Sequence, residues 1–358
     1  MYDAVIIGGG ASGLAAAVKA LKNGKKILVL EAEKRVGKKI LLAGNGRCNL
    51  SNKHLSVDCY NTPSVAEFLK HSGEVYDFFE EIGLKTRTLD GRIYPYSESG
   101  KSVLNLLREA VGESNILTEQ TVKEISAEEE GFSVNGIKTN NVILCTGSSA
   151  TTGRDCADLY KKFGHTVQGP SPVLVPLTTS TEFIKGLSGI RAKVRLSVKT
   201  GEKNLFSECG EILFKDNGVS GILAMDASRF LDGNCFLEID FLPDIAKEEV
   251  LRYVKRGKTE GLVQRMILLS VEKQSAFYGL PVEKVLKKFI IKNISPCNAS
   301  QAQVMRGGLR LEEFDEKLQS KLKKGLYACG EVLNVDARCG GYNMHWAFLS
   351  GIIAGKSV

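Results

Sequence analysis

Short, unbroken apolar runs open and close the chain, and between them lies a long stretch in which apolar and polar positions alternate. The first run, Ala4-Val5-Ile6-Ile7, meets the glycine cluster Gly8-Gly9-Gly10-Ala11-Ser12-Gly13. An alanine-rich segment to about Leu21 follows, then the run Ile27-Leu28-Val29-Leu30, which ends in Glu31. Runs without alternation predict strands buried on both faces, so Asp3 to Glu31 reads as strand, tight turn, helix and strand. The pattern of a strand ending in glycine returns at Val142-Ile143-Leu144-Cys145-Thr146-Gly147 and at Leu326-Tyr327-Ala328-Cys329-Gly330-Glu331. Helical recurrence of Val65, Phe68, Leu69, Val75, Phe78, Phe79 and Ile82 predicts one helix from Ser64 to Leu84. Further helices are expected over 101–110, 155–164 and 346–354, and a strand over Asn115 to Ile125.

Pro170, Pro172 and Pro176 mark a change of texture. Ala192 to Val198, Glu211 to Phe214 and Phe236 to Phe241 alternate apolar with polar, and Asn217-Gly218 and Asp232-Gly233 supply turns, so antiparallel β structure is expected. From Asp244 to Asn293 the spacing becomes helical, as in Val263, Met266, Ile267, Leu268 and Val271, with Pro281 opening another helix. The expected class is α/β: a Rossmann-like domain over 1–169 and 316–358, interrupted by an antiparallel β domain over 170–243. A small helical cap over 244–295 and a return through the β domain over 296–315 complete it.

Composition narrows the setting. The chain has 358 residues, 43% hydrophobic and 25% charged, which is enough for a large core and typical of a globular protein. The net charge of +7 is scattered, with its densest cluster at Lys34, Arg35, Lys38 and Lys39, and this argues against nucleic acid as the partner. Nine cysteines, an odd number with no C-x-x-C pair, point to reduced thiols in a cytoplasmic protein and away from zinc or a disulfide scaffold. Asp3 stands where a signal peptide would carry basic residues, and no apolar stretch is long enough to span a membrane.

The candidate chemistry lies in the glycine turns. Gly8, Gly10 and Gly13 form G-x-G-x-x-G between strand and helix: Gly8 for the turn, Gly10 for close approach to a pyrophosphate, Gly13 for helix–strand packing. Ala11 and Ser12 then place the first helical N–H groups beside the phosphates, and Glu31 accepts hydrogen bonds from ribose hydroxyls. The loop Gly37 to Asn49, with Lys38, Lys39, Gly44, Asn45, Gly46, Arg47, Cys48 and Asn49, is rich in glycine, amide and cation and reads as cofactor-lining. Cys48 reads as a packed thiol, since a redox thiol would want a partner. In a doubly wound nucleotide domain the third strand passes the adenine, which makes the Val122 backbone a candidate contact. Cys339-Gly340-Gly341-Tyr342-Asn343-Met344 opens a helix whose N-terminus can stabilise negative charge on a reduced flavin.

Taken in order, GGGASG, the glutamate, GKKILLAGNGRCN, the strand ending in Thr-Gly, the β insert, GLYACGEV and CGGYNMHWAFLSG resemble one family of bacterial FAD-binding proteins. That family includes aminoacetone-oxidase-like enzymes and 3-dehydro-bile-acid Δ4,6-reductases, and the resemblance covers nearly the whole chain. It implies a glutathione-reductase-type FAD domain with Gly8 to Gly13 on the pyrophosphate, Glu31 on the ribose and Val122 on adenine. It further implies Lys38, Lys39 and Gly44 to Asn49 toward the flavin end, and Thr146 and Gly147 below the pyrophosphate. Gly330 and Glu331 meet the ribityl side, and Gly341, Tyr342, Asn343 and Met344 the ring. His345 stands where the family usually has a glutamine.

A second G-x-G-x-x-G unit is absent from the sequence, so NADH or NADPH is expected as a transient donor. The leading expectation is an NAD(P)H-linked FAD reductase delivering hydride from flavin N5 to an activated C=C of a small enone or steroid-like molecule. Tyr94, Tyr96, Tyr342 and His345 are the candidate acids. A flavin amine oxidase using oxygen is the first alternative, and an FAD-containing RNA-binding protein the second. The sequence leaves the oligomeric state open.

Overall fold

The computed structural model describes residues 1–148 and 156–358. The chain divides into two compact units, one of Met1–Ser171 with Met305–Val358, the other of Pro172–Val304. In the first, β1 (Tyr2–Ile7), α1 (Ala11–Lys22) and β2 (Ile27–Leu30) form the opening strand–helix–strand unit. The remaining strands of this sheet are β3 (Ile116–Leu117), β4 (Ile125–Ala127), β5 (Phe132–Val134), β6 (Ile137–Leu144) and, much later in the chain, β12 (Leu326–Ala328). Four parallel ladders bring Leu117, Leu30, Ile7, Leu144 and Ala328 into one row. The residues that follow these strands therefore share the carboxyl edge of the sheet, the edge where open α/β sheets bind ligands. β4 and β5 complete the sheet as an antiparallel hairpin paired to the start of β6.

The last helix, α4 (Tyr342–Ser357), lies on α1. The contact is close because each helix presents small residues: a methyl group on Gly351 would stand 2.2 Å from the Ser12 carbonyl oxygen, and one on Gly355 2.3 Å from that of Ala16. Ala11, Ala15, Ala16, Ala17 and Ala20 are buried around this seam, joined by Trp346, Leu349 and Ile352.

Two local expectations need correction. The segment 64–84 is a 3-10 turn (Pro63–Val65), a single helical turn (Ala66–Leu69) and then α2 (Gly73–Glu81). The break falls at Ser72, whose hydroxyl donates to the Leu69 carbonyl at 2.7 Å and offers the backbone an alternative to continuing the helix. The strand placed at 115–125 is two strands on opposite sides of the sheet, β3 beside β2 and β4 beyond β5. Glu119 adopts φ +58° in the crossing, where the N–H groups of Glu119 and Gln120 bond the carbonyls of Glu33 and Glu31. In the segment 155–164, Ala157–Phe163 forms a 3-10 helix and Asp155 lies outside the described residues.

The second unit is built on a seven-stranded antiparallel sheet with its own buried core. Its centre is the long hairpin β7 (Arg191–Thr200) and β8 (Lys203–Lys215), flanked by β9 (Gly218–Ser220) and β10 (Phe236–Asp240), with β11 (Phe289–Ile291) at one edge. Val194, Leu196 and Val198 point inward from β7, as the alternation predicts. α3 (Arg265–Tyr278) buries Ile267 and Val271 in this same core and ends at Gly279 in the left-handed conformation.

Candidate functional site

The glycines of the first turn have separable tasks. A methyl group on Gly13 would sit 1.9 Å from the Gly8 carbonyl oxygen, and Gly8 itself holds φ +109° with a Cβ position 2.5 Å from the Cys145 carbonyl oxygen. The fold alone therefore demands glycine at both. Gly10 differs, because among the described residues a methyl group there would meet nothing within 4 Å beyond its two chain neighbours, and its backbone is extended. It is also the N-cap of α1, which has no side-chain cap and no acidic residue in its first turn. The first-turn N–H groups, which no preceding helical carbonyl takes, and the positive end of the helix dipole thus face an opening suited to an anionic group.

The Glu31 carboxylate is held at the strand tip, accepting from the Gly9 N–H and the Glu33 N–H at 2.8 Å each. Val122 is buried on the segment that Gln120 ties to Glu31, and neither its N–H nor its carbonyl bonds another described residue. Such an edge can pair with the donor and acceptor of an adenine. On the other side, Lys39 forms an ion pair with Glu331, which also accepts from the Ser148 hydroxyl at 2.6 Å and from the Met305 N–H at 3.1 Å. Gly147, Ser148, Arg306, Gly307 and Glu331 line a shallow pocket at this edge.

The loop after the short helix Lys38–Leu42 takes left-handed backbone at Gly44, Asn45, Gly46 and Cys48. Gly44 to Arg47 are exposed, whereas Cys48 and Asn49 turn inward. Burial pushes the Cys48 thiol up to about 12, which keeps it protonated and inert. The Arg47 guanidinium lies 4.9 Å above the ring of buried Tyr94 and 3.3 Å from Glu98. Tyr96, 63% exposed, stands under Arg87 on the outer surface.

This loop meets the start of α4. A methyl group on Gly341, the αL N-cap of that helix, would lie 2.4 Å from the Ser51 carbonyl oxygen and 2.6 Å from Asn49 Oδ1. Asn49 Oδ1 and Thr146 Oγ1 are buried with no hydrogen-bond partner among the described residues, and such atoms are costly unless a ligand or water satisfies them. Tyr342 follows, its carbonyl accepting from the Tyr60 hydroxyl at 3.3 Å. Asn343 turns back to clasp the Ala337 backbone, accepting its N–H at 2.8 Å and donating to its carbonyl at 2.9 Å. Met344 packs, half-buried, against the core. Gly330 is a contact glycine: its N–H donates to Ser350 Oγ at 2.8 Å, its carbonyl accepts from Trp346 Nε1 at 3.1 Å, and its Cβ position is 2.5 Å from Ser12 Oγ.

His345 is wholly buried, with Nδ1 2.9 Å from the Ser51 hydroxyl and Nε2 3.1 Å from that of Ser72. Burial lowers its pKa from 6.5 to about 4, so the ring is neutral near pH 7. This stabilising neutrality is complete above 6.5 and is lost as pH falls toward 4, where the unfolded chain takes up a proton that the folded one refuses. The full loss is about 3 kcal/mol. A His345→Gln variant, compared with the parent by denaturant unfolding at neutral pH and near pH 4.5, is expected to show a markedly flatter dependence.

Sequence reasoning missed Ser51, Ser350 and Trp346, which position the glycine turns. It also missed the bidentate pair of Arg306 with wholly buried Asp336, at 2.6 and 3.0 Å. A visible signal existed for Gly351 and Gly355, whose G-x-x-x-G spacing marks close helix packing. Nothing local marked the others.

An uncapped helix at a parallel sheet edge, a fixed acidic residue on the next strand and an orphaned amide oxygen at a second helix start are features of a dinucleotide-binding Rossmann-type fold. The chain belongs to the HI0933-like family, whose Rossmann-domain model matches residues 2–357. It is accordingly a flavin-dependent oxidoreductase. It is 31% identical to a 3-dehydro-bile acid delta(4,6)-reductase of Clostridium scindens, over 98% of each chain. A ribosomal RNA dihydrouridine synthase of Haemophilus influenzae is 25% identical over 99% of this chain and 98% of its own. Among solved structures, the open conformation of a flavocytochrome c3 fumarate reductase superposes with a TM-score of 0.53 at 15% identity, over 99% of this chain and 78% of that one. No helix among the described residues is long and apolar enough to cross a membrane.

Proposed function

We propose that this chain is an FAD-dependent reductase of an activated C=C in a small enone or steroid-like molecule, with NADH or NADPH as the visiting donor. The observation that carries the reading is the end-to-end match to a relative named for reducing a bile-acid double-bond system. When bound, FAD would supply the hydride chemistry. The chain's residues do the holding. Ala11 and Ser12 offer first-turn N–H groups to the pyrophosphate across the opening at Gly10, flanked by Gly8 and Gly13, with Thr146 and Gly147 below. Glu31 takes the ribose hydroxyls and the Val122 backbone the adenine. Lys38, Lys39, Gly330 and Glu331 line the middle of the site, and Gly44 to Asn49 with Gly341 to Met344 its flavin end. There Asn49 Oδ1 gains a donor, and the α4 N-terminus stabilises negative charge.

Of the four candidate acids, His345 has both nitrogens committed to serine hydroxyls and Tyr96 lies on the outer surface under Arg87. Tyr94 has its ring covered by the Arg47 guanidinium. Tyr342, in the first turn of α4, is the proposed proton donor. Tyr342→Phe is expected to retain FAD and lower kcat by on the order of 100-fold or more, the usual worth of a positioned acid. The reading is tested by mixing the yellow protein anaerobically with NADH or NADPH, then with a steroid 4-en-3-one or 4,6-dien-3-one. Bleaching followed by return of colour supports it. No bleaching, with peroxide formed from small amines in air, would replace it with an amine oxidase.

A second reading is favoured by the Haemophilus influenzae relative, which is named for acting on ribosomal RNA. It replaces the small molecule with a uridine in RNA, whose C5=C6 bond is likewise conjugated to a carbonyl. It predicts that RNA, and not the steroid, restores the colour, with binding that weakens steeply as salt rises.

A further inference from the structure

Two thiols that the proposed reaction does not use lie against each other beneath the nucleotide turn. Cys145 and Cys329 directly follow the neighbouring parallel strands β6 and β12, whose register pairs Leu144 with Ala328. Their sulfurs are 3.0 Å apart and fully enclosed, although the residues are 184 positions apart in the chain. Adjacent strands run about 4.8 Å apart, inside the Cα separation that a disulfide spans, so bonding needs the sulfurs to close by only about 1 Å. The pair sits in a tight setting: a methyl group on Gly13 would lie 3.3 Å from Cys145 Cβ, and the Tyr160 hydroxyl donates to the carbonyls of Val142 and Tyr327 on the same two strands.

We propose that Cys145 and Cys329 are a modification site, oxidised by peroxide to a reversible disulfide that staples the two chain segments of the nucleotide-binding unit. In the first step one thiol sulfur attacks a peroxide oxygen. An S–O bond forms, the O–O bond breaks, and a water leaves with the thiol proton. In the second step the other sulfur displaces the sulfenic oxygen: the S–S bond forms, the S–O bond breaks, and a second water leaves. Two electrons pass from the thiols to the peroxide, and nothing else is consumed. Burial keeps the Cys145 thiol protonated, its pKa raised by desolvation and by Cys329, so oxidation awaits local opening of the short strand β12. The same enclosure then shelters the disulfide from external thiols. Because the bond closes a very long loop, it restricts the unfolded chain strongly.

The test uses the FAD-loaded protein, treated with hydrogen peroxide, quenched, blocked with iodoacetamide under denaturing conditions and digested without reductant. A peptide joining Cys145 to Cys329 is expected, lost on reduction, together with a melting temperature about 5 °C higher in the oxidised parent. Cys329→Ser should show neither change. Alkylation of both thiols after peroxide, or their over-oxidation without a joined peptide, would overturn the proposal. So would crosslinks confined to exposed Cys209 or half-buried Cys339. Because the readout is a covalent bond and a melting temperature, it stands apart from the identity of the substrate.

Discussion

Gly10→Val is expected to leave the fold intact and empty the cofactor site. The backbone at Gly10 has φ −81° and ψ −169°, which any residue adopts, and among the described residues no atom beyond its two chain neighbours lies within 4 Å of the position a Cβ would occupy. A branched side chain therefore costs the fold almost nothing, yet it fills the space in front of the α1 N-terminus. FAD affinity should fall on the order of 100-fold or more, corresponding to about 3 kcal/mol of lost contact and steric clash. The measurement is a pair: thermal melting of the apo-protein, unchanged, and FAD titration by flavin fluorescence, strongly weakened. Gly13→Ala supplies the contrast. Its methyl group would stand 1.9 Å from the Gly8 carbonyl oxygen, so folding and flavin should be lost together. If Gly10→Val purified as yellow as the parent, the pyrophosphate would have to lie elsewhere.

Gly351→Leu is expected to be strongly destabilising. The neighbour at 2.2 Å is the Ser12 backbone, which cannot rotate away as a side chain would. α4 would have to lift from α1, opening the seam around Trp346, Leu349 and Ile352 and dragging Gly330 away from Ser12 Oγ. Overpacking against flexible neighbours costs about 1–3 kcal/mol, and a rigid neighbour on this central seam takes the cost beyond that range. The expected result is mostly insoluble protein, and for the soluble fraction a denaturation midpoint far below that of the parent. Gly351→Ala should fall between the two. A leucine variant with parental stability would show that the two helices do not pack through this glycine.

What could be read from the sequence was whatever two chain neighbours decide between them. The β1–α1–β2 unit was legible because apolar runs, turn glycines and the acidic tip of β2 lie within one short stretch, each constraining the next. The alternation of β7 was legible for the same reason, since one face of that strand is buried and the other wet. The strand placed at 115–125 failed because strand limits there depend on distant partners: Val29 and Leu30 capture only Ile116 and Leu117, and the Glu33 and Glu31 carbonyls take the N–H groups that follow. The helix over 64–84 failed at Ser72, whose hydroxyl serves Leu69 and the His345 ring, a partner near the other end of the chain. The candidate site shows the same division. Its glycine turns announce themselves one at a time, but the approach of Asn49 to Gly341 and of Lys39 to Glu331 is a property of the folded molecule alone.

The nucleotide-binding unit is assembled from both ends of the polypeptide, and this sets a timetable for its synthesis. When the ribosome has made the first 171 residues, β6 still lacks the neighbour β12 and α1 still lacks the cover of α4. The intervening segment emerges next with a core of its own, so it can settle while its host is still waiting for its closing pieces. Loss of even a short stretch at the carboxyl terminus would thus strand the amino-terminal half with its apolar seam open to chaperones.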